Sequence, residues 1–177
     1  MLWTIEPTHS NLEFRVKHLG ISTVRGKFKV FEGHVDVDDS GEVKEIVAKV
    51  DPASVDTNVE QRDAHLRSAD FFDVEKHSEM EFRSTEVERK GEHDYRVKGE
   101  LTLRGVTKPV EFRVESTPVT KDPWGNDRTG VSAEGRLSRK EWGLTWNQAI
   151  EAGGVLVSDD VRYALDLSLV PASVPAS

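Results

Sequence analysis

Three acidic groupings, Asp38-Asp39, Asp159-Asp160 and the Asp70/Asp73 pair, are the first residues whose types suggest chemistry. Two carboxylates facing each other across a cleft can share acid and base duties, as in glycoside hydrolysis, but only at a fixed separation. Here acids exceed bases to give a net charge of −8, so acidic pairs belong first to a solvated surface. Asp159-Asp160 stands where a turn before the last strand is expected. Ser10 follows His9, yet no serine sits in the glycine frame of a nucleophile elbow. The six histidines, at 9, 18, 34, 65, 77 and 93, lack the i, i+4 or two-residue spacing of a metal site. There is no cysteine, which removes disulfides, thiolate chemistry and cysteine zinc sites. No catalytic residue, metal ligand or cofactor site is assigned from these patterns.

The elements that must carry these side chains are mostly strands. Residues 10–18 alternate, with Leu12, Phe14, Val16 and His18 on one face and charged or amide residues on the other. Trp3 lies in a short strand that Pro7 is expected to end. Residues 24–38 place Phe28 and Val30 in one phase and Val35 and Val37 in the other, which suggests a bulge near Glu32-Gly33. Ile46, Ala48 and Val50 follow on one face, then Met80, Phe82 and Ser84. Tyr95, Val97, Gly99, Leu101 and Leu103 come next, then Val110, Phe112 and Val114. Val131, Ala133, Gly135 and Leu137 form a further strand, and Val161, Tyr163, Leu165, Leu167 and Leu169 the last.

Between the fourth strand and Met80 lies the one departure, a polar run with helical spacing over 58–69. Asp56 and Thr57 are its candidate caps, and it ends in Phe71-Phe72. The pattern predicts an all-β fold: an antiparallel barrel of about eight strands with a short helical insertion after the fourth. One domain over 1–170 and a disordered tail over 171–177 are expected. The inward Phe14, Phe28, Phe82, Leu101, Phe112, Leu165 and Leu167 are a core on any reading. Inward Ala48, Gly99, Ala133 and Gly135 fit either tight packing or a cavity wall, and Trp142 and Trp146 suit a pocket wall or a dimer surface as well.

The charge balance argues against nucleic acid. Neither a secretory leader nor ~18 consecutive apolar residues is visible, so a cytoplasmic protein without an integral membrane segment is expected.

Several blocks carry a resemblance. Trp3-Thr4-Ile5-Glu6-Pro7-Thr8-His9-Ser10 and Phe14-Arg15-Val16-Lys17-His18 resemble the opening of the YceI-like family, and Val24-Arg25-Gly26-Lys27-Phe28 continues it. The block from Asp63 to Asp73 and that from Gly99 to Val110 are similar to its signatures. Leu137-Ser138-Arg139-Lys140-Glu141-Trp142-Gly143-Leu144 resembles its segment before the final strands, with Ser138-Arg139 and Trp142 where the family more usually has Asn-Arg and Phe. The resemblance implies a lipocalin-like extended barrel holding a polyisoprenoid or isoprenoid-quinone lipid, without chemistry, and commonly dimeric. A metal-dependent or stress-related enzyme on the same barrel is the alternative. On that reading the lipid is lined by Phe14, Val16, Phe28, Val30, Met80, Phe82, Leu101, Phe112, Val131, Ala133, Trp142, Trp146, Tyr163 and Leu165. Phe71 and Phe72 guard one end, and His18, Arg62 and His65 are the polar contacts to a head group.

Overall fold

Period-two alternation in strand after strand ends in a closed ring. The computed structural model describes residues 1–149 and 154–174. Among them are β1 (Leu2–His18), β2 (Ser22–Phe28), β3 (Phe31–Val37), β4 (Val43–Val50), β5 (Val55–Asp56), β6 (Met80–Arg89), β7 (Asp94–Leu103), β8 (Val106–Ser116), β9 (Thr120–Lys121), β10 (Asp127–Ser138) and β11 (Val157–Pro171), with one short helix, α1 (Glu60–Arg67). Eight of these strands close an antiparallel barrel in the order β1-β3-β4-β6-β7-β8-β10-β11, with β11 returning to β1. Closure leaves fewer backbone edges for other chains to pair with.

The boundaries differ from expectation in ways that have physical reasons. Pro7 does not end the first strand. β1 runs on to His18, and its register with β11 shifts between Glu6 and Asn11, so a bulge absorbs the proline. The phase slip in residues 24–38 is a strand break at Lys29-Val30 rather than a bulge at Glu32-Gly33. β2 pairs with the second half of β1 and β3 with its first residues, so the chain crosses over between them. The backbone freed there is satisfied by the 3₁₀ turn Pro52–Ser54 and its neighbour. Lys29 N donates to Ser54 O, Val30 N to Ser54 Oγ, and Asp51 N to Val30 O.

The helix is shorter than the polar run. Its N-cap is Val59, which provides no side-chain hydrogen bond. Asp56 and Thr57 do not cap it: Asp56 instead accepts from Asn58 N, and Thr57 donates its N–H and hydroxyl to Asp63 Oδ1. Asp159-Asp160 lies within β11, not in a turn. Pro171, expected in the tail, is the last residue of β11 and pairs with Trp3. The stretch from Lys121 to Arg128 is a small hairpin of β9 with β10.

Small inward residues shape the lumen. A Cβ at Gly26 would fall 2.3 Å from the ring of Phe14, one at Gly99 2.5 Å from that of Phe82, and one at Gly135 2.4 Å from the Tyr163 hydroxyl. Three aromatic rings therefore lie flat on glycines of adjacent strands instead of projecting across the barrel. Packing and cavity, the two readings of the small residues, are here one arrangement: the glycines seat the rings, and the seated rings leave the centre open.

Candidate functional site

The inward faces enclose a cavity of about 640 Å³ that runs along the barrel, within the ~300–1,000 Å³ range of ligand pockets. Its two ends are built differently. At the helix end, Phe28, Val55 and Met80 pack with Leu66, Phe72 and Leu103, and Phe71, Trp142 and Leu144 pack with Leu137 and Val106. These residues form a floor. At the other end the lining passes through Val37, Gly41, Val43, Val87, Tyr95, Ser116, Thr117 and Val119, which belong to the hairpin ends and turns of the rim. The cavity therefore opens away from the helix.

Fourteen of the residues singled out from strand phase and resemblance meet on this cavity: Phe14, Val16, Phe28, Phe71, Phe72, Met80, Phe82, Leu101, Phe112, Val131, Ala133, Trp142, Tyr163 and Leu165. Their rings form a chain. Phe14 stands 5.5 Å from Phe28 and Phe28 5.7 Å from Phe72, while Phe82, Phe112 and Tyr163 follow one another around the wall. Burial pushes the Tyr163 phenol above its ordinary pKa, as expected for a hydroxyl on an apolar wall.

Five others do not reach it. Val30 is 57% exposed, because the strand break turns it to solvent. His18 keeps the alternation of β1, whose pairing with β2 runs unbroken to it, but it lies beyond the end of the lining, where β11 carries extra residues opposite it. Arg62 folds back on the loop before its own helix, donating from Nε to Thr57 Oγ1 at 2.7 Å and from Nη2 to Thr57 O at 2.8 Å. His65 is held by Asp70 Oδ2 at 2.9 Å and sets its ring edge-on to both Phe71 and Trp146. Trp146 lies 5.3 Å from Phe71, outside the lining. His65 and Trp146 thus back the floor and do not face the lumen. His18, Arg62 and His65 are not part of the lining of the cavity.

What holds the floor was only partly visible in the sequence. Arg139 is 6% exposed, and its guanidinium donates to four carbonyls: Leu144 and Trp146 through Nη1, Ser158 through Nε and Val157 through Nη2. Burial pulls its pKa down, opposed by the nearby charge of Asp159. Arg104 donates to Ala69 O and Gly143 O, tying the loop before Phe71-Phe72 to the loop after the 3₁₀ turn Arg139–Trp142. Trp142 is 1% exposed and donates Nε1–H to Leu101 O at 2.8 Å. Both arginines sit within the family-like blocks, which was the only signal for them.

A second polar cluster lies outside the cavity, at the bulge of β1. Glu6 is 2% exposed and accepts hydrogen bonds from the N–H and side chains of Thr8 and His9, with Arg128 3.9 Å away. Burial alone would raise its carboxyl, but those bonds outweigh it and hold the pKa at about 2, below the ordinary 4.5. This is a structural carboxylate that pins the bulge. Among the described residues no three His, Asp or Glu side chains converge as metal ligands would, and no helix is long and apolar enough to cross a membrane.

Comparison with known proteins agrees with this architecture. A UPF0312 protein of Serratia proteamaculans is 46% identical over 138 residues, covering 77% of this chain and 71% of that protein. The Campylobacter jejuni YCEI protein superposes with a TM-score of 0.75 at 30% identity, covering 88% of this chain and 89% of that one. A polyisoprenoid binding domain from Saccharophagus degradans, implicated in plant cell wall breakdown, shares the fold with a TM-score of 0.69 at 16% identity, covering 96% and 98%. The family model of the YceI-like domain matches residues 3–169, nearly the whole barrel, and the chain belongs to that family.

Proposed function

We propose that this protein binds a long isoprenoid lipid, a polyprenol or an isoprenoid quinone, inside the barrel, and stores, carries or sequesters it without chemical change. The observation that carries the reading is the cavity itself: apolar along its length, floored by Phe71, Phe72 and Trp142 and open at the far rim. Moving an isoprenoid chain from water into such a site gains ~25 cal/mol per Å² of apolar area buried. Rings laid flat on glycines keep the bore clear, so the chain needs no rearrangement of the wall. The binding domain of Saccharophagus degradans, named for polyisoprenoids, supports the same ligand class through a shared fold.

In this reading the tail rests on the floor and the polar end lies at the rim, near His93, Ser116, Thr117 and Thr129. A cytoplasmic place of action and a homodimer belong to the same proposal; fractionation and sedimentation equilibrium check them. Organic extraction of the purified protein followed by mass spectrometry should recover a stoichiometric isoprenoid. No co-purifying lipid from several expression hosts would count against the reading. Replacing Phe71 and Phe72 together with alanine should weaken retention tenfold or more, since losing ~1.4 kcal/mol of binding is a factor of ten. Unchanged retention with lowered thermal stability would make the pair a structural plug only.

A further inference from the structure

The cavity opens at the rim, and among the described residues the barrel wall is interrupted at three places. Where β2 parts from β3, residues 51–56 step in, with β5 pairing to β2 and Ser54 capping the freed backbone. β8 and β10 pair at only three positions, and the 3₁₀ turn Arg139–Trp142 fills the space beyond, with Trp142 bonded to Leu101 O. The third interruption, between β4 and β6, is unfilled. Val47, Ala48, Lys49 and Val50 pair with Arg83, Phe82, Glu81 and Met80, and there the ladder stops. Two bonds close its end: Ile46 N–H donates to Ser84 Oγ at 2.8 Å, a side chain standing where a backbone carbonyl would continue the sheet, and on the outer face Arg83 Nη1 donates to Glu45 Oε1 at 2.8 Å.

Both strands carry a bulge at that level. The register of β4 with β3 shifts between Asp36 and Val37, and that of β6 with β7 shifts between Ser84 and Glu86. Bulges bend a strand and increase its twist, here carrying the two edges out of register with each other. Beyond them, among the described residues, no hydrogen bond or ion pair joins residues 43–45 to residues 85–89. Val43 and Ile46 line the cavity from one side of the gap, Val87 and Tyr95 from the other. The outer edges are charged, with Lys44, Glu45, Glu86 and Glu88, a pattern that keeps an open strand edge from pairing with another chain.

We infer that the β4–β6 gap is the portal through which the isoprenoid chain enters and leaves, sideways at the rim and not through the Phe71-Phe72 floor. The Ser84–Ile46 bond sets the inner limit of the slot, and Val43 and Val87 form its apolar lips. This rests on the lipid-binding reading above.

Because the chain has no cysteine, a pair introduced as Lys44→Cys with Thr85→Cys can be bridged by a cleavable bis-maleimide without side reactions. The readout is uptake of anthraniloyl-labelled farnesol from phosphatidylcholine vesicles, followed by energy transfer from the tryptophans. Bridging should slow uptake at least tenfold while equilibrium binding is kept, and cleaving the bridge should restore the rate; the single-cysteine variants carrying the reagent should behave as the parent. Equal rates with and without the bridge would overturn the portal. If the unbridged parent takes up no probe at equilibrium, the lipid reading itself fails, and the portal with it. Should the cysteine pair not fold, Val87→Trp narrows the same slot and should slow uptake severalfold, an unchanged rate again overturning the assignment.

Discussion

The two ends of this barrel solve opposite problems. The helix end is made of buried aromatics backed by a second layer, His65 and Trp146, and by arginines that clamp carbonyls. The rim end is made of hairpins held by exposed ion pairs such as Lys44 with Asp38, Arg113 with Asp94 and Lys121 with Asp127. Exposed pairs contribute little to stability and are screened by salt, whereas a buried guanidinium with satisfied donors is costly to remove. The difference teaches that rigidity is concentrated where the cavity is sealed. The open end is left with weak constraints that a ligand can displace.

The strongest test of that contrast is Arg139. Arg139→Met leaves four carbonyls without their donor and Asp159 with Lys140 as its remaining countercharge, so unfolding should be easier by ~3–5 kcal/mol in urea titrations. Arg139→Lys should recover only part, because one ammonium cannot reproduce the planar fork. A loss no larger than that from removing Arg113 would show that the sealed end is not the stronger one.

Glu6 tests the contrast from the other side, as a buried carboxylate away from the sealed floor. Its folded pKa lies below the ordinary value, so its contribution is present above pH 4.5 and fades as pH falls from 4.5 toward 2. At ~1.4 kcal/mol per pH unit this amounts to a few kcal/mol at most. Glu6→Gln should destabilise at pH 7 and flatten the fall in melting temperature between pH 4.5 and 2. A parallel fall in both proteins would place the acid sensitivity elsewhere.

Much of this architecture was legible in residue order. Phe14, Phe82, Leu101, Phe112, Tyr163 and Leu165 follow a period of two, and a pleated strand leaves them no choice of face. What was not legible depends on contacts between distant segments. Val30 keeps the period of Phe28, but periodicity carries no mark of a strand that breaks to cross over. His18 keeps the period of Val16, but periodicity carries no mark of where along a strand the cavity ends. Nothing in the order of residues around Arg139 marks it as buried; the carbonyls of Leu144 and Trp146 and the chain returning at Val157 and Ser158 enclose it. Trp146 is as apolar as Trp142, but the cavity wall takes one ring and the backing layer the other.

The wall between the ends gives an intermediate effect. Gly135→Ala would put a methyl group where the Tyr163 ring lies, forcing that ring toward the lumen. Overpacking of this kind costs ~1–3 kcal/mol, and the narrower bore should lower isoprenoid affinity in the same variant. Stability lost with affinity unchanged would mean the ring moves along the wall and not into it.

The finest comparison sets one hydrogen bond at a filled interruption of the wall against one at the unfilled interruption. Trp142→Phe removes the Nε1–H that Leu101 O accepts in a site water does not reach, so the carbonyl is left dry and the cost should be ~1–3 kcal/mol. Ser84→Ala removes the acceptor of Ile46 N–H at the end of the β4–β6 ladder, where the gap lets water replace it, and the cost should stay within ~0.5 kcal/mol. Hydrogen exchange separates the two cases further. The Ile46 amide should lose protection in Ser84→Ala while its neighbours on β3 keep theirs, because only the β6 side of β4 is released. Equal costs for the two substitutions would mean that the β4–β6 gap is as dry as the filled one, and the two ends would then differ in shape but not in how tightly they are closed.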